Sequence, residues 1–245
     1  MASFIGIDLG TTYSSVSYLD DTGRPQIIRN SDGENLTPSC IEINDQEVNV
    51  GEYARRGLGW NDKVLARFKK DMGTSVKYKV GEQEFTPTKC SAFVLIKLLQ
   101  DAKDAIGDVG EAVVTIPANF TNEARVETLK AAKQAKLKVK NIVNEPTAAA
   151  LYYVFKNGGG LNGNFAVFDL GGGTFDISII QVKNKDVVVL ASEGVKKLGG
   201  DDLDTALQLI VQKKYKDATG EDLDIRTGYT KTDAEEDKKS LSKRD

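Results

Sequence analysis

One hairpin occurs twice in this chain. Residues 6–19 read GIDLGTTYSSVSYL and residues 167–180 read VFDLGGGTFDISII, so Asp8 and Asp169 stand at matched positions. Each copy runs an apolar strand into an Asp-Leu-Gly corner, passes a threonine and leaves on a second hydrophobic strand that alternates with polar residues, as a half-buried hairpin does. Self-similarity at so long a period means two copies of one supersecondary unit, so the chain must fold as two related halves.

Around these hairpins the hydrophobic pattern sets out the rest. After the first come short strands near 25–28, 36–43 and 46–50, a helix carrying Leu65, Phe68 and Lys69, and a hairpin over Lys77–Phe85. A longer helix is expected at 88–107, with Ala92, Leu95, Ile96, Leu99, Ala102 and Ile106 on one face at spacings of three and four. Next come a strand at 112–116, a helix at 121–136, a strand at 139–143 and a helix from Glu145 to Lys156 that tolerates Pro146 in its first turn. This order favours mixed sheets flanked by helices. The glycine-rich stretch 157–163 is the linker. Gly158, Gly160 and Gly163 match the spacing of a dinucleotide fingerprint, but they precede a strand instead of joining strand to helix, so the mechanism of that motif is absent. The second copy adds a strand at 187–191 and a helix with Leu203, Ala206, Leu207, Ile210 and Val211 on one face, then ends in TKTDAEEDKKSLSKRD. By comparison with the first copy it stops short, and the expectation is a truncated second half.

Composition removes whole classes of chemistry. The chain has no histidine, which excludes Ser-His-Asp and Cys-His nucleophiles and HExxH zinc sites. Its two cysteines, Cys40 and Cys90, cannot build a four-thiolate metal centre, and such sparse use suits a reducing, cytoplasmic compartment. A formal charge of -3 offers no field for nucleic acid or an anionic membrane. No apolar run approaches the roughly 20 residues of a membrane span.

What remains is the chemistry of the two corners. Backbone N–H groups in glycine turns can cradle phosphate oxygens because no Cβ blocks the approach, and carboxylates beside them suit hydrated Mg²⁺. A single corner reads as well as a tight hairpin turn. Two at matched positions point to nucleotide phosphates, and the absence of a GxxxxGK[ST] loop excludes a Walker site.

The paired corners resemble those of the actin-like ATPase superfamily. With NEPTAAALYY at 144–153 and LGGDDLD at 198–204, the wording resembles the 70-kDa heat-shock chaperone family from about Phe4 to the C-terminus. The resemblance implies a duplicated ribonuclease H-like α/β fold in two lobes around a nucleotide cleft. Residues 1–160 would be lobe I with a reduced peripheral subdomain, since the connection 73–88 is short, and 161–245 the first part of lobe II. It implies ATP or ADP with Mg²⁺ and K⁺. Gly10, Thr11, Thr12 and Tyr13 would form one phosphate loop and Gly171, Gly172, Gly173 and Thr174 the other. Asp8, Glu145 and Asp169 would hold the hydrated metal. Lys69, four residues before Gly73, would reach the γ-phosphate and attacking water, with Asp176, Thr174 and Asp8 completing the catalytic set; a lysine on a solvated helix is the other reading of Lys69. Gly199, Gly200 and Asp201 would approach the nucleotide, although the family usually has glutamate where Asp201 stands. Glu235, Lys238, Lys239 and Ser242 would line adenosine, or form an ordinary charged helix. Pro117 and Arg125 match the pair that relays nucleotide state. The implied activity is ATP hydrolysis driving peptide binding and release by a downstream domain absent from these residues. The implied partners are unfolded peptides, a J-domain co-chaperone and a nucleotide exchange factor. A sugar or acetate kinase and an actin-like filament protein of the same superfamily are the competing readings.

Overall fold

The computed structural model describes residues 3–44, 47–159, 161–183, 186–195, 198–224 and 228–243. Gly160 of the expected linker and the last two residues of the charged terminus lie outside the described residues. The first half is built on β1 (Ser3–Asp8), β2 (Tyr13–Leu19) and β3 (Pro25–Ile28), with β4 (Thr37–Pro38) pairing β2. β10 (Val109–Ile116) and β11 (Val139–Asn144) complete this mixed sheet, in the order β11-β10-β1-β2-β3. β1 runs parallel to β10 with Asp8 opposite Thr115, and antiparallel to β2 with Asp8 opposite Ser15. The first Asp corner therefore sits at the C-terminal end of a central strand.

Smaller sheets join β5 (Cys40–Ile43) to β6 (Val48–Val50) and β7 (Val64–Ala66), and β8 (Tyr78–Val80) to β9 (Gln83–Phe85). Of the expected helix over Leu65, Phe68 and Lys69, only a 3-10 turn at Phe68–Asp71 forms, and Leu65 lies in β7 paired with Ile41. Cross-strand pairing overrides the local apolar spacing here. A one-turn helix, α1 (Glu52–Arg55), was not foreseen.

Helix α2 (Pro87–Ile106) is started by Thr86, whose hydroxyl accepts from Lys89 N, and ended by Gly107 at φ 78°. Its expected face is buried at Ala92, Leu95, Leu99 and Ala102 but not at Ile96, which is 46% exposed, while Leu98, outside the expected face, is 1% exposed. The face turned to the sheet runs through Val94, Leu95, Leu98 and Ala102 against Ile5, Ile7 and Val16. We expect Leu95→Ala to cost about 2–5 kcal/mol by transfer loss plus cavity. Ile96→Ala should cost well under 1 kcal/mol, as at ordinary surface sites. Urea unfolding of both variants checks this.

Helices α3 (Asn122–Gln134) and α4 (Glu145–Lys156) flank β11, and Pro146 occupies the first turn of α4. The second half opens with β12 (Gly163–Leu170), β13 (Phe175–Lys183) and β14 (Asp186–Val195), a meander in which Asp169 pairs with Asp176. Helix α5 (Gly200–Thr219) departs from its expected apolar face, since Leu203 and Ile210 are more than half exposed while Asp204 and Gln208 are buried. The inner side of α5 is polar because it meets α6 (Lys231–Leu241) through a Lys238–Asp204 ion pair of 2.6 Å. No helix among the described residues is long and apolar enough to cross a membrane.

Candidate functional site

A cleft of about 800 Å³ lies between the two hairpins. One wall is the loop Gly10–Tyr13, held from outside by serines. Gly10 N donates to Ser14 Oγ at 3.1 Å, Ser39 Oγ donates to Gly10 O at 2.8 Å, and Ser39 N donates to Thr12 O at 2.8 Å. The other wall is Gly171–Thr174, closed by Gly171 N donating to Thr174 O at 2.9 Å. Free N–H groups at the start of α5 tie this loop down: Gly200 N donates to Gly171 O at 3.0 Å and Asp201 N to Gly172 O at 2.6 Å.

The loops touch. A Cβ on Gly172 would overlap the Thr12 hydroxyl, and one on Gly10 would overlap the Tyr13 carbonyl. Glycine is thus required at both corners for close approach. Thr12 Oγ1 is buried with no hydrogen-bond partner among the described residues, a cost that a ligand oxygen would remove.

Beneath the loops lies the charged centre. Lys69 is 5% exposed, so it is no solvated lysine; its Nζ donates to Glu145 Oε1 at 2.7 Å and lies 5.8 Å from the centre of the Phe120 ring. The 3-10 turn aims Lys69 inward, and the β11–α4 junction supplies Glu145. Burial raises the Glu145 carboxyl above its usual value; Lys69 opposes this, and the charges of Asp8 and Asp169 add to it. Asp169 is raised by desolvation and by Asp8, with Lys69 opposing. Asp176 is raised by desolvation and by Asp169, against a 2.6 Å hydrogen bond from Asn119 Nδ2. Asp8 accepts from Thr115 Oγ1 at 2.8 Å. No group of three or more Cys, Asp or Glu side chains among the described residues is arranged to ligate a metal directly. The donor set suits a cation that keeps its waters.

The remaining expected residues divide in two. Gly200, Lys238, Lys239 and Ser242 line a second hollow of about 430 Å³ with Leu170 and Leu203. Gly199 packs against Gly172, where a Cβ would come within 2.6 Å of backbone. Gly173 lies next to Asp201, outside both hollows. Glu235 instead accepts from Tyr13 Oη at 3.0 Å, Arg55 at 2.7 Å and Lys239 at 2.6 Å. Although burial opposes it, these cations hold its carboxyl down at about 2. Asp201 is taken by Arg67, which grips it with Nε and with Nη2 at 2.6 Å. Pro117 lines the main cleft, and Arg125 turns inward to donate to Ala118 O and Asn144 Oδ1, both at 3.2 Å. Ser39, Arg55 and Arg67 were not singled out from sequence and carry no local motif, and Asn119 and Phe120 were given no role at the site.

A family model described as Hsp70 protein matches residues 4–245.

Proposed function

The chain belongs to the Hsp70 family of chaperone ATPases and has that family's actin-like fold, and we propose that its cleft binds ATP with Mg²⁺ and hydrolyses the γ-phosphate. The observation that carries this reading is the contact of two glycine corners, Gly172 on Thr12, above a buried Lys69–Glu145 pair. Thr11, Thr12, Gly172 and Thr174, which line the cleft, hold phosphate oxygens with their N–H groups and hydroxyls, while Gly10 N and Gly171 N stay bonded within their own loops. Asp8, Glu145 and Asp169 would hold a hydrated Mg²⁺, which would neutralise phosphate charge. Lys69 leaves Glu145 to meet charge developing on the γ-phosphate. Asp176 and Thr174 orient the attacking water, and the Asn119 hydrogen bond fixes the Asp176 carboxylate. Phosphoryl transfer asks chiefly for such positioning and charge stabilisation, so the lack of histidine is no obstacle. Asp8 and Asp176 also suit K⁺.

Gly199, Gly200, Lys238, Lys239 and Ser242 form the adenosine side, with Glu235 bridging it to Tyr13. Residues 1–160 act as lobe I and 161–245 as the start of lobe II. Hydrolysis serves peptide binding and release elsewhere in the protein, with a J-domain co-chaperone and an exchange factor as partners and Pro117 with Arg125 as the relay. Cys40 and Cys90 are free and buried, in keeping with a cytoplasmic protein. Titration calorimetry with ATP and Mg²⁺, followed by single-turnover hydrolysis, tests the reading; no heat of binding at millimolar nucleotide would overturn it.

The raised carboxylates give a further check. Their folded values exceed the unfolded ones, so the penalty for keeping them charged is present at neutral pH and disappears as pH falls through the raised values toward the unfolded ones. A cation relieves that penalty only while they are charged. Thermal unfolding should therefore show Mg²⁺ raising Tm at pH 7.5, with the gain shrinking toward pH 4. Asp169→Asn should raise the metal-free Tm at pH 7.5 and blunt the gain. A Mg²⁺ effect that is independent of pH would contradict the assignment.

A further inference from the structure

Arg67 and Asp201 are 134 positions apart and belong to different copies of the repeat, yet they form a bidentate pair with side chains only 25% and 13% exposed. Arg67 reaches it from a left-handed backbone at φ 61°, a conformation that costs a residue with a Cβ and persists where surroundings enforce it. Arg67 directly precedes the 3-10 turn that carries Lys69. Asp201 sits in the first turn of α5, its N–H bonded to Gly172 O and its carboxylate beside Gly173.

We propose that Arg67 and Asp201 form a clasp across the cleft that holds the Lys69 turn in register with the second phosphate loop. Arg67 is thus a positioning residue acting through Lys69, and Asp201 serves the clasp rather than contacting the nucleotide. The planar guanidinium fork fixes distance and orientation together, which a lysine could not do. Lys231 shares the patch, its ammonium lowered by burial and by the charge of Arg67, and stands ready to take Asp201 in part if Arg67 is lost. Asp201→Asn takes from Arg67 the carboxylate it grips and leaves Lys231 nothing at that position to take over, so it is the cleaner variant.

The inference rests on the nucleotide reading only for its consequence, and the test separates the two. Spin labels at Asp62→Cys and Asp217→Cys, exposed sites in opposite halves, report the gap between halves without nucleotide. Cys40 and Cys90 stay unlabelled because burial pushes their thiols up to about 12. Asp201→Asn and Arg67→Ala should at least double the width of the distance distribution, while Asp201→Glu and the swapped pair Arg67→Asp/Asp201→Arg should keep it narrow. In the same proteins, release of a fluorescent ADP should quicken about tenfold in the two single variants, with kcat falling more than KM changes, and return to within threefold in the swap. Unaltered widths in both single variants, or a swap as broad as the singles, would overturn the clasp. If the unmutated chain binds no ADP, the nucleotide reading fails while the distances still judge the clasp.

Discussion

Replacing Lys69 with alanine is expected to slow single-turnover ATP hydrolysis by about 10²–10³-fold, the usual loss when one preorganised charge-stabilising group is removed, while MgATP still binds. The expectation follows from burial and pairing. Lys69 is the only cation bonded to Glu145 among the described residues, and the bonds that shape the two glycine loops do not involve it. Removing one partner of a buried pair also costs about 3–5 kcal/mol when the other is left charged. Part of that cost should be escaped here, because Glu145 is already biased toward its protonated form. The double variant Lys69→Ala/Glu145→Gln should regain stability without regaining turnover, which separates the chemical role from the structural one. A single-turnover rate within a few-fold of the unmutated protein would remove Lys69 from the mechanism.

Gly199→Ala should weaken MgATP binding ten- to a hundredfold. The backbone of Gly199 is extended, so conformational strain is not the issue; the added methyl would lie 2.6 Å from the Gly172 carbonyl and 2.7 Å from Gly173 N. Neither neighbour is a side chain that can rotate away. Relief requires α5 to draw back from the second loop, breaking the bonds from Gly200 N and Asp201 N that shape it. Overpacking of this kind costs about 1–3 kcal/mol, and each 1.4 kcal/mol is about tenfold in affinity. Gly220→Asn at the other end of α5, left-handed at φ 77° with nothing within 4 Å of its added Cβ, should leave binding unchanged. Calorimetry of both variants decides the matter, and equal affinities would detach α5 from the phosphate site.

What could be read from sequence was whatever is written in short-range pattern. The two hairpins were legible because a strand of alternating apolar residues ending in Asp-Leu-Gly carries its own turn, and because it occurs twice; β1 and β2 occupy the expected residues. Helix α4 was legible, since Pro146 fits a first turn and the glycine-rich stretch from 157 follows its end. The corner residues Asp8, Gly10, Asp169 and Gly171 came with these elements. The stretch 64–71 was misread because Leu65 and Phe68 have helical spacing, whereas pairing of Leu65 with Ile41 wins once β5 is in place. On α2, a single helical stripe could be drawn through Ile96 or through Leu98, and only the position of the sheet chooses between them.

The site's electrostatics were decided in three dimensions. Ser39 bonds to Gly10 from 29 positions away, Lys69 to Glu145 from 76, and Arg55 to Glu235 from 180. An arginine or serine in a loop has no periodicity to reveal its partner, and its free energy depends on desolvation and on charges that arrive only when the halves meet. The sequence by itself determined that the same Asp-Leu-Gly hairpin corner would form twice, because that information is local and repeated. Tertiary structure decided which charges are paired across the cleft, because pairing depends on the distance between segments that the chain brings together only on folding.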